Sequence, residues 1–170
     1  MPVSDPNVHE PEWEVDATDT PSRMRAARVG APAGAHDLAA SVYEVLPGGA
    51  VAPYHLHHGN EEMLVVLSGS PRLRTPHGTR ELTPGAVVSF RPGPDGAHRV
   101  SNPTSEPVRV LLISTMRFPE VAEYPETGTT LTLTAPGAGT AFPAGAAAEF
   151  RELYQQAIAA DLEADAAPGP

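Results

Sequence analysis

Twenty prolines and fifteen glycines punctuate the 170 residues, and across most of the chain they leave no room for a helix of more than a few turns. Between them lie short runs rich in Val, Leu and Ile: SVYEVL (41–46), VAPYHLH (51–57), EEMLVVL (61–67), AVVSF (86–90) and VRVLLIST (108–115). Each is bounded by Gly, Pro or Asn. Weaker runs occur around Leu73 and at 79–83, 98–102 and 130–134. Many short strands at this spacing predict an all-β sandwich or closed barrel, in which every sheet edge is paired or covered, and argue against alternating βαβ units.

A chain of this length is expected to form one domain around a core large enough to need no staple. Cysteine is absent, which excludes thiolate nucleophiles, redox pairs, Cys-type zinc sites and iron–sulfur clusters. All eleven basic residues are Arg, so there is no catalytic or Schiff-base lysine. The net charge of −10 is carried by the ends: residues 1–20 hold six acids and no base, and residues 146–170 hold five acids and one Arg. The body between them is neutral, with no basic stripe to release counterions from a phosphate backbone, so no nucleic-acid partner is expected. No apolar run approaches the ~18 residues of a membrane span, and the first 20 residues carry no apolar leader, so the expected location is cytoplasmic, without membrane contact.

The chain divides into an irregular N-terminal arm (1–35), a β barrel (36–134), a linker (135–145) and a C-terminal helix and tail (146–170). In the arm, Trp13 and the cluster Arg23, Arg25 and Arg28 can dock on the body. In the C-terminal segment Phe150, Leu153, Tyr154, Ala157, Ile158 and Leu162 fall at helical spacing, giving an apolar face suited to packing on the barrel or on a second subunit. Exposed sheet edges with an arm and a helix available to cover them predict a homodimer.

The chemistry is concentrated in HLHHGNEE, residues 55–62. If 51–57 is a strand, His55 and His57 point to one face and Leu56 to the other. The turn His58–Gly59–Asn60 then leads into a second strand carrying Glu61 and Glu62, so one carboxylate can return to the point where the imidazoles meet. Two His and a carboxylate with open positions suit Fe(II), and mixed N/O ligands also suit Mn, Co, Ni, Cu or Zn. His98, in GPDGAHRVSN, is the best candidate for a fourth ligand.

These residues resemble the cupin superfamily. Gly49, five residues, His55, one residue, His57, four residues, Glu62, six residues and Gly69 match its first signature throughout. Gly85, Pro94, Gly96, His98 and Asn102 resemble the second, with the His98-to-Asn102 spacing kept and the intervals from Gly85 to Pro94 and to His98 altered. The resemblance covers roughly residues 40–115. It implies a double-stranded β-helix, or jelly-roll barrel, holding one divalent transition metal, Fe(II) being favoured, through His55, His57, Glu62 and His98. Glu62 is preferred to Glu61 because it preserves the six-residue interval to Gly69.

Four protein ligands leave two cis positions on an octahedral ion for a chelating substrate, or for substrate and O₂ side by side. The expectation is an enzyme acting on a small oxygen-bearing metabolite, with an Fe(II)-type dioxygenase leading. A redox-neutral isomerase, epimerase or decarboxylase is the alternative, and a non-enzymatic small-molecule-binding cupin a further one. Candidate catalytic residues are His58, Tyr43, Tyr54 and Arg91, with Met63, Ser89 and Phe90 also near enough in the pattern to line the pocket.

Overall fold

The computed structural model describes residues 5–146 and 149–166, with the side chains of 150 and 161–166 left out. The strands are β1 (Val15–Ala17), β2 (Met24–Arg28), β3 (Leu38–Val45), β4 (Leu56–His57), β5 (Glu62–Ser68), β6 (Arg72–Thr75), β7 (Gly78–Glu81), β8 (Val87–Phe90), β9 (Arg99–Ser101), β10 (Val108–Thr115), β11 (Glu120–Tyr124), β12 (Thr129–Ala135) and β13 (Ala138–Phe142). A single helix, α1 (Phe150–Ala166), follows. The strands form a six-stranded sheet (β1-β2-β3-β10-β5-β8), a four-stranded sheet (β13-β12-β11-β4) and a three-stranded sheet (β7-β6-β9), with every strand pair antiparallel. This is the mostly-β jelly-roll architecture expected.

Alternation builds the core. Leu64, Val66, Phe90 and Val110 point inward from the six-stranded sheet and meet Leu73 and Val100 from the three-stranded one. Their neighbours Met63 and Val87 point outward and are exposed, as period-2 geometry requires. Gly69 follows β5 with φ +76°, and a Cβ there would lie 2.7 Å from Val108 Cγ1, so the turn into β6 needs a residue without a side chain.

The segment up to residue 35 is not irregular throughout. β2 pairs with β3 over five residues, and β1 folds back on β2 through a turn in which Asp16 accepts hydrogen bonds from the Thr18 N–H and hydroxyl. What orders this polar segment is charge in register. Arg25, Glu44 and Arg109 sit directly across three adjacent strands, and the buried Glu44 carboxylate takes Arg25 at 2.7 Å and Arg109 at 2.6 Å. Trp13 stacks over both guanidiniums, 4.4 Å from that of Arg25 and 5.7 Å from that of Arg109.

The stretch read as a linker at 135–145 also gains structure. Pro136 and Gly137, the latter at φ +73°, turn β12 into β13, whose five residues are all exposed. Among the stripe residues of α1, Leu153, Tyr154 and Ile158 are exposed; the side chains of Phe150 and Leu162 lie outside the described residues.

Candidate metal centre

The strand expected over 51–57 shortens to Leu56–His57. Pro53 has no N–H to give a ladder, and the chain bends from 51 to 54. His55 is held by a different device: its N–H donates to the His98 carbonyl at 3.1 Å, and the His98 N–H donates back at 2.8 Å. This isolated bridge sets the two imidazoles side by side with centroids 4.6 Å apart. His57, on β4, brings its ring edge-on to that of His55 at 5.0 Å. Glu62, the first residue of β5, points inward like Leu64 and Val66 beyond it.

All three imidazoles are oriented from behind. His55 Nδ1 lies 2.9 Å from the Pro53 carbonyl, and His98 Nδ1 lies 3.0 Å from the Gly96 carbonyl. His57 Nδ1 lies 3.3 Å from a carboxylate oxygen of Glu120. Carbonyls and carboxylates only accept, so each Nδ1 carries the proton and donates it, leaving each Nε2 with a lone pair facing the cavity. Glu62 Oε2 sits among them, 3.4 Å from His57 Nε2 and 3.3 Å from His98 Nε2, buried and without a hydrogen bond. Donor atoms of His55, Glu62 and His98 lie within 4.8 Å of one another, and His57 Nε2 borders the same oxygen. A buried anion facing imidazole lone pairs is repelled unless a cation, or a proton in its place, lies between them. The donor set therefore fits a divalent metal.

The electrostatics agree. Burial, reinforced by the neighbouring His98, lowers the His55 pKa to about 4, so the ring is neutral near neutral pH. Burial also works against protonating His57, but the facing Glu62 carboxylate, together with Glu120, outweighs it and leaves its pKa above the usual imidazole value. For Glu62 burial acts upward, yet the His57 and His98 imidazoles that face it hold its pKa well below the usual carboxylate range.

Beside the cluster lies a cavity of about 200 Å³ whose other walls are Tyr43, Val51, Ala52, Val100 and Leu112. Tyr43 is thus the candidate catalytic residue that reaches this space. Phe90 stacks flat on His98, with centroids 3.7 Å apart. Tyr54 lies under the Arg74 guanidinium, 4.5 Å from its ring. His58 turns away and pairs with Glu123 at 2.7 Å, both nearly half exposed. Arg91 is exposed in the loop after β8, and Met63 and Ser89 form a cross-strand pair on the outer face.

Two residues escaped the sequence reading. Glu120, 1% exposed, accepts from His57 Nδ1, from the backbone N–H of His58 and of Gly59, each at 3.2 Å, and from the Asn60 side-chain amide. Gly59 permits this closeness, since a Cβ there would lie 2.7 Å from Glu120 Oε2. Tyr124, on the same strand, stacks on His55 with centroids 5.8 Å apart. The His55, His57 and Glu62 spacing cannot reveal either, because β11 is distant in sequence from the ligands it supports.

Residues 41–114 match the family model described as "Cupin domain". This segment is a cupin domain. The cupin fold extends beyond it: a sugar phosphate isomerase from Silicibacter pomeroyi superposes with TM-score 0.71 at 20% identity, covering 82% of this chain and 92% of that one. A protein assigned as a sugar phosphate isomerase from Acidithiobacillus ferrooxidans gives TM-score 0.68 at 25% identity, over 79% and 85%. The lyase for DMSP from Ruegeria pomeroyi gives 0.50 at 23%, over 64% and 57%. No curated protein sequence matches the chain. Among the described residues, no helix is long and apolar enough to cross a membrane.

Proposed function

We propose that this cupin is a metal-dependent enzyme that isomerises a small, oxygen-bearing metabolite without net oxidation. The observation that carries the metal is Glu62 Oε2, buried and unbonded among imidazole nitrogens. His55, His57, Glu62 and His98 would hold the ion, and when bound it would supply Lewis acidity toward a substrate hydroxyl or carbonyl. The likeness to the Acidithiobacillus ferrooxidans protein, at 25% identity over most of both chains, supports isomerisation over the oxygenase reaction expected from open cis positions alone.

The chain's own residues fit this chemistry. Burial first, and then the charge of Glu62, raises the Tyr43 pKa, so its phenol stays protonated and can donate to a substrate oxygen at the cavity wall. Val51, Val100 and Leu112 line the same space with apolar surface, which disfavours water around a proton in transfer.

The test is a metabolite screen on protein loaded separately with iron, manganese, nickel and zinc, with and without O₂. The expected result is conversion that needs a metal, proceeds equally without O₂ and is supported by redox-inert zinc. Consumption of O₂ in step with substrate would establish the oxygenase instead, and tight ligand binding without turnover under any metal would establish a binding protein.

The same reading includes a homodimer. β13 is an edge strand, exposed along its length and free of charged side chains, and α1 exposes Leu153 and Ile158 beyond it. Edges of this kind are stable in solution when another strand or subunit covers them. Light scattering on the full chain is expected to give twice the 17.8 kDa chain mass, and a monomeric mass would overturn it.

A further inference from the structure

The metal cavity shares its Val51–Ala52 wall with a second groove of about 400 Å³, bordered by Ser22, Tyr54, Arg99 and Glu126. Arg99 follows His98 directly and, by strand alternation, faces away from the ligand cluster into this groove. Its cross-strand partner in the β6–β9 pair is Arg74. Like charges directly opposite on one sheet face repel, so the pairing costs stability unless something neutralises it.

Arg74 is neutralised: it forms an ion pair with Glu126 and stacks on Tyr54. Arg72, the next outward residue on β6, reaches Glu81 at 3.7 Å. Arg99 has no carboxylate partner among the described residues, although its side chain is only partly exposed. Arg74, Arg99 and Glu126 together leave one positive charge in excess, in a concave site, in a protein whose net charge is −10. Guanidinium is the side chain best shaped to take two oxygens of one anion.

We propose that this groove binds an oxyanion, and that Arg99 is the residue that holds it. The metal-dependent reaction proposed above then gives the groove its use, and this part of the inference rests on that reading. A substrate whose hydroxyl or carbonyl end reaches His55, His57, Glu62 and His98 would cross the Val51–Ala52 rim and place a phosphate monoester or carboxylate against Arg99. The substrate class is therefore anionic as well as oxygen-bearing.

The test is calorimetric titration of the full chain with inorganic phosphate and, separately, with acetate, on metal-free and zinc-loaded protein. Expected is saturable binding of one of the two anions in both metal states, weakened at least about tenfold in Arg99→Gln. Stronger binding of phosphate assigns a phosphate monoester as the substrate group, and stronger binding of acetate assigns a carboxylate. Glu126→Gln, which removes the one negative charge lining the groove, is expected to strengthen the same binding. A variant that merely loosened the sheet would not change affinity in opposite directions at the two positions.

Metal content, measured on the same samples, separates the two ideas. Arg99→Gln is expected to keep its metal, whereas His98→Ala is expected to lose metal and retain anion binding. Binding by Arg99→Gln within twofold of the unmodified protein, or no binding of either anion, overturns the groove while leaving the metal site standing. Anion binding by an unmodified protein that takes up no metal leaves the groove and removes the reaction.

Discussion

Glu62→Gln is expected to cost the protein its metal while leaving its fold intact. Removing a carboxylate or carbonyl that merely orients a ligand already lowers metal affinity by 10–100-fold, so removing the one anionic donor is expected to lower it by at least about 100-fold. The isosteric amide keeps the volume of the buried side chain and can donate an N–H to the imidazole lone pairs that Oε2 now faces at 3.3 and 3.4 Å. The melting temperature of the metal-free variant should therefore stay within a few degrees of the unmodified protein. Elemental analysis and calorimetric metal titration decide it, and a full equivalent of metal retained by Glu62→Gln would remove the site.

In the unmodified protein the same titration should depend on pH with a defined sign. Metal and proton compete for Nε2, and His57 holds its proton more tightly than an ordinary imidazole because of Glu62 and Glu120. Affinity should therefore fall as pH drops through and below the raised His57 pKa. His55, with its pKa near 4, adds to the loss only in much more acidic solution.

Glu120→Ala is expected to be the most damaging change to stability. It strands four donors in a buried place: the His57 ring N–H, two backbone N–H groups and the Asn60 amide. Leaving buried donors unpaired costs 1–3 kcal/mol each, so with partial relaxation the loss is expected to be about 3–5 kcal/mol. For a chain of this size that is on the order of 10 °C in melting temperature. Glu120→Gln keeps one acceptor oxygen and the side-chain shape, so it should melt between the two, yet still bind metal about 10–100-fold more weakly because His57 loses its anionic partner. Thermal melts and metal titration of both variants check this. Metal affinity unchanged in Glu120→Gln would show that Glu120 serves the turn at 58–60 and not the histidine.

The candidate ligands were legible because strand geometry turns spacing into direction. His55 and His57 are two apart, Glu62 and Leu64 are two apart, and each pair shares a face. The residues that orient these ligands were not legible. β11 reads EVAEY between prolines, and its inward positions are Glu120 and Ala122, so the strand has no large apolar alternation by which to recognise it. Glu120 also meets His57 from 63 residues away, a separation that no local pattern encodes. β2 was missed for a related reason: its outward face is held by Arg25 pairing with Glu44, a charge match between strands and not a hydrophobic one. At 51–57 the apolar run was real, but Pro53 broke the ladder, and a two-residue backbone bridge to His98 did the positioning instead.

That bridge and its surroundings bring the three sheets to one point. His57 belongs to the four-stranded sheet, Glu62 to the six-stranded sheet, and His98 immediately precedes the outermost strand of the three-stranded sheet. An ion held by these residues would act as a rivet through all of them, because any one sheet could peel away only by giving up a coordination bond. Ion concentration would then set mechanical cohesion: at a hundred times its dissociation constant, a ligand specific for the folded state adds about 2.7 kcal/mol against unfolding. Scarcity of that ion would then lower the protein's resistance to proteases that attack transiently opened sheets.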